Sequence, residues 1–135
     1  AKAIPIAPQK DDPAAYEAAF EAAAAVLRDG ELLAIFPEGG ITRDGTVQPF
    51  KGGIMKVLER AAQDALDVSV VPMALTNLWG SFFSRVEVVE GEPTAMIRPF
   101  RRGFFNRVGL NVGVPLPAAL VTPDALRLRV STLLG

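Results

Sequence analysis

Glu38, Gly39, Gly40, Thr42 and Arg43 bring a carboxylate, two glycines, a hydroxyl and a guanidinium into one short stretch. Each has a chemical reading and a plainer one. Glu38 is suited to touch or polarise a ligand, and equally to accept hydrogen bonds from the amides of its own loop. Gly39, Gly40 and Gly45 let backbone N–H groups approach a phosphate. They also serve turns that need positive φ, which suits Gly45 in Arg43-Asp44-Gly45 just as well. Arg43 has the planar fork that fits oxyanions, or is a solvated surface arginine. Downstream, Phe50-Lys51-Gly52-Gly53 opens a helical pattern. Lys51 and the free amides of a helix starting at Gly52-Gly53 would together make an anion site, because the helix dipole favours negative charge there. The spacing matches neither a nucleotide P-loop nor a dinucleotide fingerprint.

An absence limits this chemistry. The chain has no His and no Cys, so the commonest general base and the thiol nucleophile are both missing. Without Cys there is no disulfide framework and no thiolate metal site. No metal or cofactor is expected.

Two further stretches interleave aromatic and small or basic residues. Asn77 to Arg85 carries Trp79, Phe82 and Phe83. Arg98 to Arg107 carries Arg101, Arg102, Phe104 and Phe105 and no acid. Cations that meet anionic headgroups, beside rings that enter the interface, suit a membrane surface. The same mixture would suit single-stranded nucleic acid, or the phenylalanines would simply belong to a core. The net charge of -1 argues against nucleic acid.

The elements that must position these residues alternate along the chain. Ala3–Ala7 is a short strand candidate. Asp12-Pro13 reads as an N-cap followed by proline in the first turn. Tyr16, Phe20, Ala23 and Leu27 share a helical stripe that Gly30 ends. Glu31–Phe36 is the strand before the glycine loop, so the loop sits where open α/β sheets place ligands. Ile54, Leu58, Ala61 and Ala65 make a second helical stripe. Val68–Leu75 is a continuous apolar run, as expected for a strand covered on both faces. Arg85–Glu90 and Val108–Val114 read as further strands, and Thr122-Pro123 caps a last helix bearing Leu126, Val130, Leu133 and Leu134. This order predicts an α/β fold with a mixed, mainly parallel sheet flanked by helices. The 135 residues, half of them hydrophobic, suffice for a single domain, 1–135, with a real core. No apolar run reaches the roughly 18 residues of a membrane span.

At these residues the chain resembles the phospholipid/glycerol acyltransferases, which include the lysophosphatidic acid acyltransferases. Phe36-Pro37-Glu38-Gly39 is similar to the third sequence block of that family, and Phe50-Lys51-Gly52-Gly53 to its downstream Phe-basic-x-Gly. Val70-Val71-Pro72-Met73-Ala74-Leu75 resembles the fourth block, and Ala3-Ile4-Pro5-Ile6 sits where the second would lie. Ile41-Thr42 and Trp79 to Arg85 look most like a bacterial branch in which the domain is fused to transporter-like or ligase-like segments. The resemblance implies a glycerol-3-phosphate acyltransferase-like fold. It implies transfer of a fatty acyl group from acyl-CoA or acyl carrier protein to a hydroxyl of a glycerol phosphate or lysophospholipid. It places that work at the cytoplasmic face of the inner membrane, in phospholipid biosynthesis.

In the family's first block a His, followed four residues later by Asp, acts as general base on the acceptor hydroxyl. The resemblance puts that block before Ala1, so the chain is expected to be a C-terminal part of the domain, truncated at its N-terminus and inactive alone. The family's acceptor-phosphate roles carry over to Glu38 and Gly39. Gly40 stands where the fused branch usually has Arg, leaving Arg43 as the substitute, with Lys51 and Gly53 completing the substrate-binding set. A sheet lacking its first elements is expected to self-associate through open strand edges. The alternatives are a non-catalytic phosphate- or lipid-binding module and a regulator that naturally lacks His.

Overall fold

The computed structural model describes residues 2–40, 46–77 and 107–135, and the backbone of residues 86–89 and 92–95. Helix α1 (Pro13–Arg28) starts as expected: Asp12 Oδ1 accepts the Ala15 N–H at 2.9 Å, and Pro13 occupies the first turn, where its missing N–H has no intrahelical partner to lose. Helix α2 (Gly53–Gln63) begins at Gly52 with no side-chain cap. Helix α3 (Pro123–Leu134) is capped by Thr122, whose Oγ1 accepts the Ala125 N–H at 3.2 Å.

Both α1 and α2 end in the same way. The Glu31 N–H reaches back to the Val26 carbonyl and the Gly30 N–H to that of Leu27; the Leu66 N–H reaches Ala61 and the Ala65 N–H reaches Ala62. These are paired Schellman bonds, which require left-handed backbone at the residue after the cap. Gly30 supplies it at φ +74° and Ala65 at φ +53°. Ala65 is therefore not the last residue of the α2 stripe but the first beyond the helix. Val57, outside that stripe, is buried.

The strands pair antiparallel. Strand β1 (Ser69–Val70) pairs with β6 (Leu116–Pro117), β2 (Met73–Thr76) with β5 (Gly109–Val112), and β3 (Val86–Val89) with β4 (Glu92–Ala95). The first two pairs form one ribbon interrupted by a bulge. Residues 71–72 face residues 113–115 across it, and the Gly113 N–H donates to the Pro72 carbonyl at 2.8 Å. Pro72 has no N–H for the ladder, so the pairing breaks there. Gly113 is required: a Cβ would lie 2.9 Å from Pro72 Cγ and 3.2 Å from Leu133 Cδ1.

Residues 3–7 and 31–36, the expected first two strands, run without a ladder partner, and no parallel pair forms among the described residues. The ribbon also differs from expectation in its cover. One face, with Ala74 and Asn111, lies on the α3 side, where Asn111 Nδ2 donates to the Leu133 carbonyl at 2.7 Å. The other presents Met73 opposite Val112 and Leu75 opposite Leu110, all exposed. Alternation along a strand puts these four side chains on one face, and nothing in the described residues covers it.

Helix α2 is the shared wall of the core. Ile54 and Leu58 pack with Leu116, Val121 and Leu126, while Val57 packs with Phe20 and Ala23 of α1. Outside this seam, Arg60 bridges Glu17 (2.6 Å) and Glu21 (3.0 Å), Lys56 pairs with Glu17 (3.2 Å), and Arg28 pairs with Glu21 and with Asp64 (2.9 Å). The Arg28 guanidinium, with Arg60 beside it, holds the Glu21 carboxyl below its ordinary range. Exposed pairs like these add little each, so the α1–α2 contact rests mainly on its apolar seam.

Candidate functional site

The site grows from a turn. Phe36-Pro37-Glu38-Gly39 closes on itself through Gly39 N–H donating to the Phe36 carbonyl at 3.2 Å. Pro37 at the second position presets φ for that turn. Gly39 takes φ +61°, which an L side chain adopts only with strain.

A second segment is tied to this turn. The Lys51 N–H donates to the Pro37 carbonyl at 2.8 Å. Lys51 Nζ donates to the Gly39 carbonyl at 3.3 Å. The lysine stem runs over Gly39 so closely that a Cβ there would lie 2.9 Å from Cδ and 3.2 Å from Cε. Lys51 thus delivers a cation beside the Glu38 turn, and α2 begins two residues later. Gly53, its first residue, rests on the Phe20 ring; a Cβ there would meet that ring at 3.5 Å, ordinary contact. The opening amides of α2 have no side-chain cap; the Met55 N–H donates to the Gly52 carbonyl at 3.0 Å, which leaves those of Gly53 and Ile54 for an acceptor.

Glu38 is half-buried. No hydrogen bond or ion pair reaches its carboxylate among the described residues. Burial alone raises its pKa above the ordinary carboxylate value, because desolvation disfavours the charged form. Of the loop amides that Glu38 could accept from, the Gly39 N–H is taken by the Phe36 carbonyl, and those of residues 41–45 lie outside the described residues.

The structure therefore brings Gly39 and Lys51 into contact beside Glu38, with Gly53 two residues further on against the Phe20 ring, and Gly40 next to the turn and open, among the described residues, on the side where a Cβ would point. Arg43 lies outside the described residues, as do Trp79, Phe82, Phe83, Arg101, Arg102, Phe104 and Phe105. Sequence reasoning missed the part played by the Pro37 carbonyl. The turn's own bond uses the Phe36 carbonyl and the Gly39 N–H, so the Pro37 carbonyl is left for a partner outside the turn. No cluster of three or more Asp, Glu, His or Cys forms among the described residues, and none of their helices is long and apolar enough to cross a membrane.

Chemically, the mouth offers a cation, backbone amides at a helix start and one carboxyl that is reluctant to ionise. That set suits a phosphorylated polyol better than a cation or an apolar ligand. Neither a curated protein nor a solved structure matches the chain significantly. A family model described as Acyltransferase matches residues 1–76, over half of the chain, and the matched stretch contains Glu38, Gly39, Gly40, Arg43, Lys51 and Gly53. The chain belongs to the acyltransferase family.

Proposed function

We propose that the chain carries the acceptor side of an acyl-transfer site, with the phosphate of a glycerol phosphate or lysophospholipid held between the Glu38 turn and the start of α2. The observation that carries this reading is the Lys51 N–H to Pro37 carbonyl bond, which joins the two segments within the family-matched region. Lys51 and Arg43 supply the charge. Glu38, poorly placed to meet a phosphate directly, holds the acceptor hydroxyls or fixes the arginine. The transfer forms an ester C–O bond and breaks the thioester C–S bond of an acyl-CoA or acyl carrier protein donor, and the acceptor's proton ends on the released thiol.

The same reading places the domain in a mixed, mainly parallel sheet flanked by helices, to which residues 3–7 and 31–36 contribute strands. It places the work at the cytoplasmic face of the inner membrane, in phospholipid biosynthesis, with Trp79, Phe82, Phe83, Arg101, Arg102, Phe104 and Phe105 as the membrane contact. The exposed apolar strand faces support self-association of the chain. A second reading, a phosphate- or lipid-binding module without catalysis, is favoured by one fact: the sequence contains no His. Calorimetric titration with sn-glycerol 3-phosphate, glycerol and a thioester donor tests both. Phosphate-dependent binding without transfer fits a chain that lacks the base. Transfer to the acceptor by this chain alone contradicts the need for His, and no binding of glycerol 3-phosphate contradicts the site.

A further inference from the structure

We propose that Lys51 is a positioning residue whose side chain clasps the Glu38 turn in its working conformation, a role beyond the charge that the acceptor reading, on which this proposal rests, assigns to it. Two contacts of that side chain meet on one glycine. Nζ donates to the Gly39 carbonyl at 3.3 Å, and the stem occupies the space a Cβ would need, with Cδ at 2.9 Å and Nζ at 3.0 Å from that position.

Gly39 also sits at φ +61°, which glycine adopts freely and an alanine only with strain. The backbone bond from Lys51 N–H to Pro37 anchors the root of the side chain to the same turn. Lysine has three N–H donors. One directed at Gly39 leaves two for an oxyanion, so a ligand held by Lys51 is held beside the Gly39 carbonyl. The glycine and the lysine are thus mutually dependent. The small residue admits the stem, and the stem's ammonium fixes the carbonyl of the small residue.

A double-substitution cycle on the 135-residue chain tests this. Gly39→Ala is made in the wild-type and in the Lys51→Ala background, with melting temperature and glycerol 3-phosphate affinity as readouts. The clasp requires non-additivity: with the stem gone, the cost of Gly39→Ala should fall by at least half, leaving the backbone strain alone. Equal cost in both backgrounds overturns the proposal. Hydrogen exchange of the Gly39 N–H gives a second readout that decides alone should Gly39→Ala not fold. Exchange several-fold faster in Lys51→Ala and restored in Lys51→Arg supports the clasp. Unchanged exchange in Lys51→Ala, or no rescue by arginine, overturns it. If wild type takes up no glycerol 3-phosphate while the melting cycle is non-additive, the acceptor reading fails and the clasp stands.

Discussion

The Lys51 N–H donates to the Pro37 carbonyl oxygen at 2.8 Å and so ties the turn carrying Glu38 to the start of α2 as one unit. Gly53, which the proposed site includes, is not conformationally special: its φ is not in the left-handed region. Its Cβ position is 3.5 Å from the Phe20 ring, an ordinary contact. Gly53→Ala should therefore leave stability unchanged or raise it by up to about 1 kcal/mol through helix propensity. The added methyl points at Phe20 and away from the free α2 amides, so glycerol 3-phosphate binding should stay within about two-fold of wild type. Thermal unfolding and calorimetry on the same sample separate the two effects.

Ala65 occupies the left-handed residue of a Schellman motif at φ +53°. Left-handed backbone costs an L residue roughly 1–2 kcal/mol, which glycine avoids. Ala65→Gly should stabilise the chain, by about 0.5–1 kcal/mol after the greater flexibility of glycine in the unfolded chain is subtracted. A destabilised variant in urea unfolding would contradict the assigned cap.

These two helix ends show what the sequence could and could not disclose. Gly30 marks its cap by residue type, and the cap of α1 was readable. Ala65 forms the same motif with a residue that favours helix, so periodicity carried α2 two residues too far. Asp12-Pro13 and Thr122-Pro123 were readable because a cap is a local event. Strand pairing is not local. The apolar run 68–75 announced a strand, but its antiparallel partner at 109–117 is set by the contact with α3 and the bulge at Pro72. At the site, the residue types of Glu38, Gly39 and Lys51 were visible. The stem of Lys51 lying over Gly39 was not, because nothing in a sequence reports the direction of a long side chain.

Burial raises the Glu38 pKa above the ordinary value of 4.5. The folded chain then holds this proton more tightly than the unfolded chain. Its contribution is fully present below the unfolded pKa and is lost as pH rises through the folded pKa. Glu38→Gln should remove that dependence, so the variant's stability relative to wild type should increase as pH rises through this window. The gain should be small, since the group is only partly buried. Melting temperatures of both proteins, followed upward in pH from below the ordinary carboxylate value, check this. A difference that stays flat or has the opposite slope would contradict the desolvated carboxyl.

Leu32 is fully exposed and Phe36 is 80% exposed, on an extended segment without a ladder partner. Such an edge pairs readily with another chain. Light scattering should show a mass that rises with concentration, and Leu32→Ser with Phe36→Ser should lower it. A strictly monomeric wild type at high concentration would contradict self-association.

The acceptor site itself is tested most directly by mapping amide chemical shifts while sn-glycerol 3-phosphate is added. Perturbations are expected at Gly39, Lys51 and Gly53 that glycerol does not produce. Arg43→Ala should weaken the interaction about ten-fold or more, as expected for losing a charge-assisted hydrogen bond. Saturable shifts confined to other parts of the chain, or shifts at the turn that glycerol reproduces equally, would contradict a phosphate held between Glu38 and the start of α2.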